Sequence, residues 1–280
     1  MAVVDWILNF AGILLWLSWS SHRLERAASR PSVGLASTLR KASSRSAARW
    51  SYLLYLAGLL VLRSIFYWQV GSEGGLIMQL DLKAITLPFR CDRFLLMLVY
   101  SLLSFVLWLG VLYTCLLLLS VINRKVSDSE PVQRIIRAQL GWIERLPFLL
   151  RLVLPIIAAV AGWLVTSPLL SRLDVIPGHS TGRQLWEQAA LLGAGAVLLW
   201  KLPIVILLLL HFVTSYVYLG TGTFLSFITT TARNFLRLAG RIQFQIGKLD
   251  LTPLVAIFVV MVLAESWQWV LLHLYQWLQL

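Results

Sequence analysis

Charged residues are scarce in this chain, and most of the few that occur are basic. Only 13% of the 280 residues are Asp, Glu, Lys or Arg, which is about half of the share in a typical soluble domain. Acidic residues number 12 against 24 basic ones, so the formal net charge is +12. This composition excludes an ordinary soluble domain. In a membrane protein, cytoplasmic loops and anionic lipid explain the basic excess more simply than nucleic acid does.

Residues and motifs that carry enzyme chemistry are also rare. The two cysteines, Cys91 and Cys115, are not expected to form a disulfide, because Cys115 lies deep in an apolar run. No cluster of Cys and His has the spacing of a metal site. The chain lacks the G-x-S-x-G, H-E-x-x-H and Walker motifs. His211, the one histidine inside an apolar run, has no second ligand in place for haem. We therefore expect no enzyme, no metal and no cofactor.

Hydrophobic residues are abundant, at 59% of the chain with a mean hydropathy of +0.80. Apolar runs of about twenty residues recur, and such runs are typical of membrane-spanning helices. An open sheet cannot satisfy its backbone in lipid, so the predicted fold is an all-α polytopic membrane protein. Many of the 13 tryptophans lie at the ends of these runs, as in an interfacial belt. The predicted spans are 3–19, 50–70, 94–122, 152–170, 185–219 and 253–274.

The apolar run 185–219 could form one long helix or two short ones, and the charge distribution favours one. With one helix there, the three basic loops 22–49, 123–151 and 220–252 fall on one side of the membrane. These loops hold seventeen of the 24 Lys and Arg residues. Because cytoplasmic loops are rich in Lys and Arg, we expect six spans, with both termini outside and these three loops in the cytoplasm.

The basic loops suggest surfaces for lipid or protein. Loop 22–49 is expected either to fix the orientation of the neighbouring spans as a basic cytoplasmic loop or to bind anionic lipid or an acidic partner. In loop 123–151, the segment Asp128-Ser129-Glu130-Pro131 is a helix start signal. The basic amphipathic helix that follows it is expected to lie on the membrane or to pack on the protein's own cytoplasmic side. In loop 71–93, apolar and polar residues alternate weakly, so this loop could lie along the membrane surface. The expected apolar face of the 123–151 helix comprises Val132, Ile135, Ile136, Leu140, Ile143 and Leu146, and its polar face Arg134, Arg137, Glu144 and Arg145.

Two cations lie inside predicted spans. Arg63 is expected either to face protein or water or to reach the outer headgroups. Lys201, next to Pro203, could serve as a transport or gating site, since kinked helices are common at such sites. However, no acidic residue inside the membrane is expected to pair with Lys201. Glu187 is about 21 Å away along a helix, and Glu265 is expected towards the outer end of the last span.

The polar stretch 227–253 joins the last two spans. Arg233, Arg237 and Arg241 recur every fourth residue, so a helix would place them on one side. Thr252 can cap the last helix, and Pro253 suits its first position. Asp250 is expected either to accept backbone N–H groups there or to pair with Arg237 or Arg241. The apolar side of the predicted helix would carry Phe235, Leu238, Ala239 and Ile242.

This stretch resembles the signature of the YggT family, also called YlmG or Ycf19. Two departures are Leu238, where the family has proline, and Thr252, where it has serine. The resemblance covers about thirty residues. It implies a small integral membrane protein of the bacterial inner membrane or of plastids, with roles in membrane organisation, division, osmotic tolerance or the maturation of membrane complexes. The matching positions are Thr230, Arg237, Gly247, Asp250, Leu251, Thr252 and Pro253.

The predicted organisation has three parts: an N-terminal anchor with its basic loop (1–49), a degenerate YggT-like unit (50–184) and a second such unit (185–280). A long helix, a basic amphipathic stretch and a proline-started span occur twice, with Pro155 corresponding to Pro253. We expect a non-enzymatic protein of envelope organisation or membrane-complex assembly, whose partners are anionic lipid headgroups and membrane proteins or further copies of itself. The alternative is a small transporter or channel that uses Arg63, Lys201 and His211.

Overall fold

Long helices make up most of the computed structural model. It describes residues 2–28, 35–74, 77–82, 85–124, 131–176, 182–216, 222–239, 244–246 and 249–278. The helices are α1 (Ala2–Ala28), α2 (Leu35–Gly74), α3 (Phe94–Ile122), α4 (Pro131–Leu140), α5 (Phe148–Arg172), α6 (Gly182–Ala196), α7 (Lys201–Tyr216), α8 (Thr223–Ala239) and α9 (Thr252–Trp277). Short 3-10 helices follow α4 (Gly141–Arg145) and α6 (Val197–Trp200).

Six helical stretches in this described part are long and apolar enough to cross a membrane, so the all-α polytopic fold is confirmed. The protein is therefore a multi-pass integral membrane protein. The observed spans run a few residues beyond the predicted ones at most ends. They are Val3–Ser21, Trp50–Gly71, Phe94–Ile122, Phe148–Arg172, Gly182–Tyr216 and Thr252–Trp277.

The fifth span is continuous but changes helix type in the middle. Between α6 and α7, residues Val197–Trp200 form a 3-10 turn. Pro203 lies in the first turn of α7 and cannot donate the backbone bond that Leu199 would otherwise accept. A tighter i to i+3 pattern accommodates this loss without ending the helix. The prediction of one helix rather than two is thus confirmed, with a local irregularity beside Lys201.

Two connections differ from the predicted loops. Helix α1 continues to Ala28 and α2 begins at Leu35, so much of the basic connection 22–49 is helical. Its Ala, Leu and Arg residues favour a helix even without an apolar face. The connection 71–93 forms a two-stranded sheet of β1 (Ile77–Asp81) and β2 (Thr86–Arg90), in which alternate residues are buried. A second small sheet, β3 (Gln245–Ile246) with antiparallel β4 (Leu249–Asp250), precedes α9.

The chain divides into two compact units. Unit 1 comprises Met1–Leu80 with Leu87–Gly110, and unit 2 comprises Asp81–Thr86 with Val111–Leu280. The predicted three-part division stays a prediction. The element order of the predicted repeat is present as α3–α4–α5 and α6/α7–α8–α9. However, Pro155 lies well inside α5, whereas Pro253 is in the first turn of α9, so the two prolines are not equivalent.

The core of unit 2 lies where α3, α7, α8 and α9 meet. Ile204, Leu207 and Leu208 of α7 pack there with Ile228 of α8. A neighbouring cluster joins α4 to the rest of the unit through contacts of Ile136 and Leu140 with Leu117 and Phe227. These contacts hold the two amphipathic helices against the spans.

Candidate functional site

Arg63 lies in a buried polar cluster of unit 1 and exposes only 2% of its surface. Its guanidinium forms an ion pair with Asp5. It also donates hydrogen bonds from Nη1 to Asn9 Oδ1 (2.8 Å) and from Nη2 to Ser104 Oγ (2.9 Å). The interpretation that Arg63 reaches the headgroups is therefore wrong, because α1 and α3 supply acceptors inside the helix bundle. The residues Asp5, Asn9, Arg63, Tyr67 and Ser104 are called the Arg63 cluster below.

The other members of the cluster bond to one another. Asn9 is fully buried, and its Nδ2 donates to Ser104 Oγ at 3.0 Å and to Asp5 Oδ2 at 3.4 Å. The Tyr67 hydroxyl donates to Asp5 Oδ1 at 2.9 Å. An unpaired polar group inside a membrane span costs several kcal/mol, so such hydrogen bonds stabilise these side chains. The cluster therefore joins α1, α2 and α3 through their polar side chains.

Aromatic rings flank the cation. The guanidinium carbon of Arg63 lies 5.6 Å from the ring centroid of Tyr67 and 5.5 Å from that of Tyr100. Rings at this distance attract a cation through their quadrupoles. Of the three guanidinium nitrogens of Arg63, Nη1 and Nη2 donate hydrogen bonds, whereas Nε has no partner among the residues described. Arg63 precedes the end of its span at Gly71 by about 12 Å of helix, so it lies well inside the apolar layer.

The β1–β2 sheet lies over one end of the cluster. Phe89 of β2 is fully buried and its ring packs edge-on against Tyr100 at 5.5 Å. Gly71 at the end of the α2 span is in close contact with Cys91, since a Cβ there would lie 2.7 Å from Cys91 Sγ. Trp68 Nε1 donates to the Asp92 carbonyl at 3.3 Å. Burial raises the pKa of the Cys91 thiol, as expected for a residue enclosed by this contact.

Lys201 has an acidic partner, contrary to the expectation from the sequence. In unit 2 its Nζ forms an ion pair with Glu265 Oε1 of α9. Glu265 is not near an end of its span but is close to the middle of the 26-residue helix α9. The predicted span 253–274 also has Glu265 next to its centre, so the expectation of a position towards the outer end was wrong. The pair is much less enclosed than the Arg63 cluster, because the side chains of Lys201 and Glu265 are 30% and 63% exposed.

The turn into α9 is fixed by two side chains, in a different way from that predicted. Asp250 Oδ1 accepts the N–H of Thr252 at 3.0 Å, so the carboxylate accepts the first N–H of α9, as expected, but from the position before the N-cap residue Leu251 and as an Asx-type turn. Thr252 is the first residue of α9 rather than its cap. Its hydroxyl instead accepts the N–H of Phe244 at 3.0 Å. Pro253 is buried in the first turn.

Among the described residues of the stretch 227–253, no arginine forms an ion pair with Asp250. Arg233 and Arg237 lie on the exposed side of α8, and Arg241 is outside the described residues. The opposite side of α8 packs into the unit, with Phe235 against the core and Ala232 fully buried. The predicted amphipathic character of this helix is thus confirmed over the described part. Of the two alternatives for Asp250, the structure shows the contact with the backbone and no pair with Arg237, while the pair with Arg241 lies outside the described residues.

Helix α4 packs on the protein itself, which was one of the two predicted arrangements. Ile136 and Leu140 are buried on the predicted apolar face. Ile135 belongs to the predicted face but is exposed, and Gln133 is fully buried in its place. The buried face of α4, which contacts α3 and α8, is therefore turned around the helix axis from the predicted apolar face, away from Ile135 and towards Gln133.

His211 stands apart from the other candidates. It is buried in α7, and its Nδ1 has no hydrogen-bond partner among the residues described. It belongs to unit 2 with Lys201, whereas Arg63 belongs to unit 1.

Four members of the Arg63 cluster were not recognised from the sequence. The signal was present as polar residues four apart inside apolar runs, Asp5 with Asn9 in α1 and Arg63 with Tyr67 in α2. Residues four apart lie on the same face of a helix, and polar faces inside spans normally meet protein. Ser104 gave no such signal, because serine is common in helix packing.

The chain matches no protein-family model, no curated protein and no solved structure. The class of the protein is given by its six spans and its two ion pairs: it is a multi-pass integral membrane protein with charged side chains inside its spans.

Proposed function

We propose that the protein is a non-enzymatic membrane protein of the YggT type, which organises the cell envelope or assembles membrane complexes in the bacterial inner membrane. The observation that carries this proposal is the enclosure of Arg63 by an ion pair and hydrogen bonds to groups of the chain itself. A cation that binds a transported substrate must exchange partners, whereas Arg63 is enclosed by acceptors and aromatic rings. Such a cluster stabilises a helix bundle that presents surfaces to other molecules.

The surfaces that would bind partners are those of the two basic amphipathic helices. Arg233 and Arg237 of α8 and Arg134 of α4 lie on exposed sides. Basic side chains beside a membrane attract anionic headgroups, and the same surface suits an acidic face of a membrane protein. In this proposal both termini lie outside and these helices face the cytoplasm.

Cysteine labelling in intact cells tests the orientation. In a background with Cys91 and Cys115 replaced by alanine, a membrane-impermeant maleimide should label Asp81→Cys but not Arg137→Cys. The reverse pattern would invert the proposed topology.

A small transporter or channel is the second candidate, supported by the irregular helix around Lys201. A 3-10 turn and Pro203 interrupt the middle of a span next to an ion pair, and interrupted helices at mid-membrane are common at transport sites. His211, whose Nδ1 has no hydrogen-bond partner within the described part of the chain, lies further along the same helix.

Reconstitution into liposomes separates the two candidates. We expect fluxes of H⁺, Na⁺, K⁺ and Cl⁻ across vesicles that contain the protein to equal those of protein-free vesicles. A flux that saturates with substrate and falls in Lys201→Met would overturn the assembly role in favour of transport. In cells, charge reversal of Arg233, Arg237 and Arg241 should instead abolish the co-purification of a partner in mild detergent while leaving the protein in the membrane.

A further inference from the structure

Glu265 is an exposed carboxylate in the middle of a membrane-spanning helix. It is the fourteenth of the 26 residues of α9, and about 20 Å of helix precede it. Lys201, its ion-pair partner, is likewise near the middle of the span Gly182–Tyr216. Both charges therefore lie near the centre of a hydrocarbon layer about 30 Å thick.

The exposure of this pair is costly if lipid surrounds it. Charged side chains at the bilayer centre almost always face protein or a water-filled cavity. Glu265 is too far from either end of α9 for its short side chain to reach the headgroups. The ion pair reduces the cost, but 63% of the Glu265 side chain remains open. A protein surface that covers the pair would remove the contact with lipid.

The residues around Glu265 form a row suited to helix packing. The opposite side of α9 packs on the unit's own core through Ala256, Ile257 and Val260. The exposed side carries residues whose spacing alternates between four and three, which is the spacing of a coiled-coil seam. A single polar residue in such a seam fixes the register of the helices that meet there. This exposed seam comprises Phe258, Val262, Glu265, Trp269 and Leu272.

We propose that this seam is the interface of a homodimer, in which a second copy of the chain covers the Lys201–Glu265 pair. The argument for a second copy is charge complementarity. Each copy presents one positive and one negative group side by side at one depth. Consider a two-fold axis that runs along the membrane normal and passes beside the pair. This axis places the Glu265 of each copy next to the Lys201 of the other. The four charges then alternate in sign, as a self-complementary two-fold interface requires.

A foreign helix would need a charge pattern matched to both groups, whereas a second copy carries that pattern already. The dimer does not depend on whether the protein assembles complexes or transports a substrate. Its test therefore stands or falls separately from the proposed function.

Cross-linking in native membranes tests the interface. In the full chain with Cys91 and Cys115 replaced by alanine, Val262→Cys should give a dimer with a short bis-maleimide. Val165→Cys is the matched control, because Val165 is an exposed valine inside another span. We expect it to give no dimer. The mass of the purified protein in lipid nanodiscs, measured by light scattering, should be that of two chains.

Charge variants test the register. Glu265→Gln keeps the size of the side chain and should weaken dimerisation about tenfold, as expected for the loss of an interhelical polar contact. Lys201→Glu, which places like charges together, should give monomers. Combining Lys201→Glu with Glu265→Lys should restore the dimer, because the alternation of sign returns.

Three results would overturn the proposal. The first is a monomer in nanodiscs with Val262→Cys cross-linking no more than Val165→Cys. The second is a cross-link from Val262→Cys to a different protein instead of to a second copy. The third is a dimer that persists unchanged in Lys201→Glu, provided that this variant is folded by its tryptophan fluorescence.

Discussion

Among the described residues, two cations lie away from the ends of their spans, Arg63 in unit 1 and Lys201 in unit 2. Their surroundings differ. Arg63 is buried and contacts an acid, two further acceptors and two aromatic rings. Lys201 has an ion pair with a carboxylate that is mostly exposed. The comparison shows that an ion pair alone does not determine the role of an intramembrane charge. A pair enclosed by its own unit stabilises that unit, and a pair left open marks a surface that another molecule can cover.

The largest effect is expected from Arg63→Leu. The substitution leaves the Asp5 carboxylate in an enclosed site without its cation, and breaking a buried pair in this way costs about 3–5 kcal/mol. Unfolding of the purified protein in mild detergent, followed by tryptophan fluorescence during titration with dodecyl sulfate, measures the loss. Arg183→Leu is the control, because Arg183 forms an exposed pair with Glu187 and should change stability by less than about 1 kcal/mol. Equal stability of both variants would show that the Arg63 cluster does not hold unit 1 together.

A smaller effect is expected from Gly71→Ala, which tests the cover of the cluster. The added Cβ would meet both Cβ and Sγ of Cys91, so the turn after β2 must move, at a cost of about 1–3 kcal/mol. Gly58→Ala in the same helix is the control, because a Cβ there has no atom within 4 Å. That substitution should be neutral or stabilising, since alanine favours a helix over glycine.

The reactivity of Cys91 reports the same movement. Its pKa is raised by burial, and the thiolate is the reactive form. In a Cys115→Ala background, the rate of maleimide labelling should therefore rise only at a higher pH than it does for an exposed thiol. Gly71→Ala should increase the rate and shift its rise towards lower pH, whereas Gly58→Ala should not. Labelling at the rate of an unfolded chain in the unsubstituted protein would contradict the described burial.

Asp250→Ala should have a local effect at the turn into α9. The loss of the hydrogen bond to the Thr252 N–H costs about 1 kcal/mol, as for other helix caps. Insertion should not change, because it depends on the apolar run after Pro253. The 220–252 connection should become more sensitive to protease in inverted vesicles. Charge reversal of Arg233, Arg237 and Arg241 should impair complementation more strongly. If both variants complement fully and the connection stays equally protected, this stretch is only a connector.

The smallest effect on the monomer is expected from Lys201→Met. The pair with Glu265 is partly open, and open pairs contribute little, so we expect a change within about 1 kcal/mol in the titration with dodecyl sulfate. The effect on the dimer should be larger, because the covered carboxylate then lacks a partner in both copies. A loss as large as that in Arg63→Leu would show that the pair is a second internal cluster.

The spans, the amphipathic helices and the start of α9 could be predicted from the sequence, because each depends on a local pattern. The length of each apolar run determines where a span lies. The spacing of Arg233 and Arg237, with Phe235 between them, determines which side of α8 is polar and which is apolar. The partners of the cations could not be predicted. Asp5 is 58 residues from Arg63, and Glu265 is 64 residues from Lys201. Such pairs depend on which helices are neighbours, and hydrophobicity carries no information about that.

The strands of the 71–93 connection were missed for a related reason. Each has five residues, and their alternation is weak in the sequence. Met78, Leu80, Leu87 and Phe89 become buried because one side of the sheet packs on protein, a contact that a local pattern does not reveal. The exposed Ile135 and the buried Gln133 of α4 show the same limit, since tertiary contacts rotated the buried stripe.

Two double-mutant cycles test the central claim, that one charge pair is internal to the fold and the other is open. One cycle uses Asp5→Asn and Arg63→Gln, and the other uses Glu265→Gln and Lys201→Gln, both measured in detergent that keeps the protein monomeric. We expect a coupling energy of several kcal/mol for Asp5 and Arg63 and less than about 1 kcal/mol for Lys201 and Glu265. Equal coupling energies, or a larger value for Lys201 and Glu265, would contradict the account.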